Sequence, residues 1–178
     1  MMSRSPDRPE PVRLAAEIVA EIEALPLRNT PEVRAVRRSY SGRLKGADAT
    51  YVLGLARDLL RRYGARWVAY ELIAAHAEAF RSLGAAELEE FGQGMDSWSA
   101  VDTFARTLSG PAWRDGLVDD VLIHRWARSE DRWWRRAALV STVALNMRSH
   151  GGTGDVRRTL DVCQMLVSDR DDMVVKAL

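Results

Sequence analysis

Apolar residues recur every three to four positions along most of this chain, the spacing of amphipathic helices. Residues 11–25 align Ala15, Ile18, Ile22 and Leu25 on one face. Thr30 followed by Pro31 opens a second helix, since Pro suits the first helical turn. Residues 48–63 align Val52, Leu55, Ala56, Leu59 and Tyr63 behind a capping Asp48. Residues 65–81 align Trp67, Tyr70, Ile73, Ala77 and Phe80. A short helix is predicted over 85–92, and another over 97–107 capped by Asp96 or Ser97. Residues 115–127 are predicted to bury Val118, Val121, Leu122 and Trp126 and to expose Asp119 and Asp120. A long helix covers 131–147, and His150-Gly151-Gly152-Thr153-Gly154 is a loop. Asp155 starts a helix carrying Val156, Leu160, Cys163 and Val167, and a last one begins near Asp171. No segment alternates as a strand does.

The pattern repeats. Residues 129–139, SEDRWWRRAAL, align with 168–178, SDRDDMVVKAL. Ser129 pairs with Ser168, Trp134 with Met173, and Ala138-Leu139 with Ala177-Leu178, at an offset of 39, near the period of HEAT-like repeats. The expected fold is all-α: a right-handed HEAT-like helical repeat solenoid, an α–α superhelix with a concave face lined by the second helix of each pair. One repeat domain is expected over 11–178, after a Pro-rich disordered lead over 1–10. Val174–Leu178 carries no cap signal, glycine or polar tail, so the C-terminus reads as truncated. Such an end is open to weak self-association.

Composition narrows the classes. At 47% hydrophobic and 29% charged residues, the chain is an ordinary globular protein. No apolar run approaches the roughly 18 residues of a membrane span, and no signal peptide is visible, so a cytoplasmic location is expected. Cys163 is the only cysteine, so no internal disulfide forms; it falls on an apolar stripe and reads as a small core residue. Net charge is +1, but 24 of the 26 basic residues are arginine. Arginine forks suit phosphate, and what matters is whether they share a face. His76, His124 and His150 are scattered without ligand spacing, so neither metal nor cofactor is expected. The GGTG loop lacks the context of a P-loop.

Two segments concentrate chemistry. In Asp96-Ser97-Trp98-Ser99-Ala100-Val101-Asp102-Thr103-Phe104, Trp98 and Asp102 stand at i and i+4 and share a helix face. In Arg132-Trp133-Trp134-Arg135-Arg136-Ala137-Ala138, two indoles and three arginines occupy a turn and a half. Adjacent helical residues point about 100° apart, so the indoles diverge; Trp134 is assigned to the core and Trp133 to the rim.

The segments SWSAVDTF and RWWRRAALV resemble, in order and helical context, two segments of the AlkD-type DNA alkylation repair glycosylases. YSGRLKGADATYVLGLARDL over 40–59 is similar to that family's N-terminal region, and the resemblance covers roughly residues 15–178. It implies that Asp102 matches the catalytic aspartate, Trp98 a cleft tryptophan and Arg136 an arginine facing the DNA backbone. It also implies a partner, duplex DNA with alkylated bases, and a reaction, removal of cationic N3- and N7-alkylated purines without drawing the base into a pocket. The family's second cleft tryptophan follows the segment that KAL resembles and lies past Leu178. Arg132, Arg135 and Trp133 are further candidates for DNA contact, or else an exposed face. Arg43 and Lys45 hold phosphate in a loop, or lie in a plain solvated loop. Tyr40 is a candidate for stacking at the DNA surface. The alternative is a non-catalytic HEAT-like module binding DNA or a protein.

Overall fold

The computed structural model describes residues 9–178, and of His150 the backbone alone. The lead expected over 1–10 lies outside the described residues except for Pro9 and Glu10. All regular structure among the described residues is helical, and helices pack on chain neighbours, as the repeat class requires. The chain divides into two compact units, Met1–Ala79 and Phe80–Leu178.

The first unit contains α1 (Pro11–Glu23), α2 (Thr30–Leu44), α3 (Ala49–Tyr63) and α4 (Arg66–Ala74). Helices α2 and α3 start where side chains accept orphan backbone N–H groups: Asn29 from Glu32 N at 3.0 Å, Asp48 from Tyr51 N at 2.8 Å. Gly64, at φ 63°, ends α3 in the left-handed conformation that glycine adopts without strain. The predicted stripes meet in the core, where Ala15, Ile18, Val52, Leu55, Ala56, Leu59, Tyr70 and Ile73 are buried. The helix expected over 65–81 breaks after Ala74, and α5 (Ala77–Arg81) follows. The break is a cap: the buried His76 Nδ1 accepts from Ala79 N at 3.2 Å.

The second unit contains α6 (Ala85–Gly92), α7 (Trp98–Phe104), α8 (Gly110–Arg114), α9 (Asp120–Ala127), α10 (Arg132–Ser141), α11 (Val143–Asn146), α12 (Val156–Leu166) and α13 (Asp172–Val175). Between α7 and α8 the backbone widens into a π turn over 105–109, closed by Gly110 N on Ala105 O. Pro111 explains it. Lacking an N–H and clashing with the carbonyl four residues back, it cannot continue an α-helix. Gly110 is wedged so tightly that a Cβ there would lie 2.7 Å from Ser141 O. Ser109 and Ser141, both buried, share a hydrogen bond of 2.8 Å.

Several expectations need correction. Tyr63 and Ala77, expected on apolar stripes, are exposed, and the helix expected over 131–147 breaks at Thr142. The helix expected over 115–127 starts at Asp120, because Asp119 caps it by accepting from Leu122 N; Val121 is then exposed and Val118 only half-buried. Asp120 is half-buried, accepting from Trp113 Nε1 at 2.9 Å. On α12 the stripe Val156, Leu160, Val167 faces outward with Cys163 half-buried, while Val162 and Leu166 are buried instead. That helix has two apolar stripes, and periodicity does not say which meets a neighbour. The repeat is present in the caps, but at an offset of 40. Asp131 accepts from Trp133 N and Asp171 from Met173 N, while the N–H groups of Asp131 and Asp171 reach Ser129 and Asp169. The cap, not the apolar residue, sets the phase of each helix.

Candidate active site

The site stands on α7, held against α10 by aromatic packing. Phe104 lies 6.0 Å from Trp126 and 6.0 Å from Trp134, whose rings are 4.8 Å apart, within the range of favourable aromatic pairs. Gly92 makes room, since a Cβ there would sit 2.4 Å from the Trp134 ring. Glu89 steadies the cluster by accepting from Trp126 Nε1 at 3.0 Å and from Arg125 at 2.6 Å. Trp134 packs on Phe104 and Trp126 but is half-buried rather than a core residue, and Trp133 is half-buried too, beneath the Arg132 guanidinium, 4.7 Å from its ring centre.

With Phe104 and Val101 inward, α7 turns Trp98 and Asp102 toward the surface. Trp98 is 58% exposed and has no hydrogen-bond partner among the described residues. Asp102 meets Arg136 in a fork: Nε donates to Oδ1 at 2.8 Å and Nη2 to Oδ2 at 2.9 Å. The remaining nitrogen, Nη1, donates to the backbone carbonyl of Met173. Arg136 is 7% exposed. A buried guanidinium needs a counter-charge, and Asp102 supplies it. The carboxylate side chain keeps 27% of its surface open. It is therefore fixed in orientation and still reachable, one helical turn from an open indole.

The other candidates are distributed as follows. Arg135 pairs with Asp169 at 2.7 Å and also donates to the carbonyls of Ser129 and Glu130. Arg132 reaches Asp171 at 3.5 Å and stays half exposed. So the three arginines of α10, read as one basic run, are committed to Asp102, Asp169 and Asp171. Arg136 does not project toward solvent as the resemblance implied; its guanidinium lies on Asp102. Arg43 and Lys45 belong to the first unit, at the end of α2. Arg43 binds Glu17 at 2.7 Å over the Tyr40 ring, and Lys45 is exposed. Tyr40 is not a surface residue. It is buried, and its hydroxyl contacts Glu17 at 3.0 Å and Glu21 at 2.8 Å. Burial and those carboxylates push its ionisation well above the ordinary phenol value.

Sequence reasoning missed Asp169, Asp171 and the Met173 carbonyl, which together latch the α12–α13 turn onto α10. The cap motif repeated at Asp131 and Asp171 was the available signal. No group of three or more His, Cys, Asp or Glu placed to hold a metal ion occurs among the described residues. No described helix is long and apolar enough to cross a membrane. A fixed carboxylate and an indole face both favour positive charge in front of them, and the carboxylate can take a proton from water.

Against known proteins, a family model described as DNA alkylation repair enzyme matches residues 27–178. No curated protein and no solved structure matches the chain significantly.

Proposed function

Since the chain belongs to the DNA alkylation repair enzyme family, we propose that it is a DNA N-glycosylase that excises cationic N3- and N7-alkylated purines from duplex DNA. Membership makes it a DNA repair protein, and the pair of Asp102 and Trp98 on one exposed face of α7 supports the narrower reading. Alkylation leaves the purine positively charged and a good leaving group. As the N-glycosidic bond breaks, its electron pair goes to the purine, which becomes neutral, and positive charge builds on the sugar. Asp102, aimed by Arg136, stabilises that charge. It accepts the proton of the water whose oxygen bonds to C1′. Trp98 offers its indole face to the same cationic centre.

The observation that carries the reading is the fork between Arg136 and Asp102, which orients the carboxylate without sealing it. The test is a duplex oligonucleotide containing N7-methylguanine, with the free base measured by chromatography. Wild-type protein releases the base, and Asp102→Asn binds the duplex but releases it far more slowly. No base release by the wild type overturns the reading. A second reading, a non-catalytic module that binds DNA or a protein, is favoured by one fact: all three arginines of α10 are already ion-paired within the protein. Salt-dependent DNA binding without base release would select it.

A further inference from the structure

Phosphate contacts position a protein on duplex DNA and come mainly from cations. A cation gains most from a phosphate when it is not already neutralised. Arg132, Arg135 and Arg136 each hold a carboxylate, so a phosphate reaching them would have to displace one. Arg106 differs. It lies four residues beyond Asp102, is exposed, and its side chain has no ion pair or hydrogen bond among the described residues.

Arg106 stands at the start of the π turn over 105–109. Residues four apart on a helix are neighbours on one face, so Arg106 follows Asp102 as Asp102 follows Trp98. The exposure pattern agrees: Trp98 and Arg106 are exposed and Asp102 half-buried, while Val101, Phe104, Ala105 and Leu108 are buried. The turn is imposed by Pro111 and locked by the close approach of Gly110 to Ser141. Trp98, Asp102 and Arg106 thus form one column of indole, carboxylate and guanidinium.

We propose that Arg106 is the backbone-gripping cation of this site, binding a phosphate beside the nucleotide whose sugar faces Asp102. The proposal rests on the glycosylase reading for its ligand, duplex DNA. It assigns to Arg106 a contact that the sequence had suggested for α10.

The test is the affinity of the full chain for a fluorescein-labelled duplex as a function of salt, with base release measured in parallel. Arg106→Gln weakens binding and lowers the slope of log affinity against log salt by about 1, the loss of one phosphate contact. Arg106→Lys restores most of that slope. Arg132→Gln changes it less, because its guanidinium is shared with Asp171. The melting temperature of Arg106→Gln stays near wild type, since the side chain is exposed. An unchanged slope in Arg106→Gln, or an equal loss in Arg132→Gln, overturns the proposal. If the wild type releases base while either of those results holds, only this inference falls. If the wild type binds no duplex even at low salt, the glycosylase reading falls with it.

Discussion

Trp67 and Glu71 stand at i and i+4 on α4, as Trp98 and Asp102 do on α7. Both carboxylates are served by arginine from another helix. In the first unit the set closes on itself. Trp67 Nε1 donates to Glu71 at 2.7 Å, Arg34 and Arg37 each donate at 3.0 Å, and the Arg34 guanidinium lies 5.3 Å from the Trp67 ring centre. Only 15% of the Glu71 side chain is open. In the second unit one arginine holds Asp102 and the indole donates to nothing described. The first arrangement is a staple between α2 and α4; the second has capacity to spare. A tryptophan and an acid at helical spacing do not make a reactive site. What makes one is how many donors the acid has left to accept.

The largest break in that comparison comes from neutralising each acid. Asp102→Asn is expected to lower base release by about 10²–10³-fold, or ~3–4 kcal/mol of transition-state stabilisation. Glu71→Gln is expected to leave release within about threefold while costing ~1–2 kcal/mol of stability, because it weakens three charge-assisted hydrogen bonds. Single-turnover excision and thermal melts separate the two effects. If Glu71→Gln lost activity as Asp102→Asn does, without a change in melting, the contrast would be wrong.

A second test moves the helix rather than the acid. Gly110→Ala forces a Cβ to 2.7 Å from Ser141 O, and backbone cannot yield cheaply; overpacking costs about 1–3 kcal/mol. Because Gly110 follows the π turn directly, activity is expected to fall further than that stability loss accounts for. A variant that melts lower yet excises normally would show that the π turn is mere packing. The indoles give a smaller effect. Trp98→Ala is expected to change stability by under about 0.5 kcal/mol and excision by about tenfold, near the worth of a cation–π contact. Trp67→Ala should do the reverse, losing ~1 kcal/mol of stability with little effect on excision.

Much of this was legible from local pattern. The periodicity located most helices, and Asp48, Ser97 and Asp155 were readable as starts because capping is a local event. Trp98 and Asp102 were readable as sharing a face for the same reason. What was not legible is non-local. Arg136 meets Asp102 across 34 positions, and Arg37 meets Glu71 across the same separation, so spacing could not tell an occupied acid from an available one. Resemblance to a repair family singled out Asp102; the chemistry of one helix did not. The π turn was missed because Pro111 acts on carbonyls several residues behind it, within a segment whose hydrophobic spacing still read as α-helix. The exposed stripe of α12 was misjudged because two apolar faces on one helix are equal until a neighbour arrives.

The smallest expected effect concerns the latch behind the site. Burial pushes the Asp169 carboxyl up, but the Arg135 guanidinium and the backbone N–H groups of Asp171 and Arg170 outweigh it and hold it below the ordinary value of 3.8. A carboxyl lowered on folding contributes stability that is complete above its unfolded value and is lost as pH falls through the folded one. The latch should therefore be intact from neutrality down to about pH 4 and fade below it. Asp169→Asn removes that titration. It is expected to cost about 1 kcal/mol near neutrality, the worth of a modest ion pair, and to flatten the acid limb of the melting curve below pH 4. The comparison sharpens here, because Arg135 neighbours Arg136, whose free nitrogen reaches the Met173 carbonyl in the same turn. Loosening the latch should disturb the aim of Asp102 and leave the Glu71 staple alone. Excision by Asp169→Asn at neutral pH should then fall by a few-fold. Glu71→Gln, at matched stability loss, should show no such fall. Equal activity in the two variants would detach the latch from the site and leave it a purely structural ion pair.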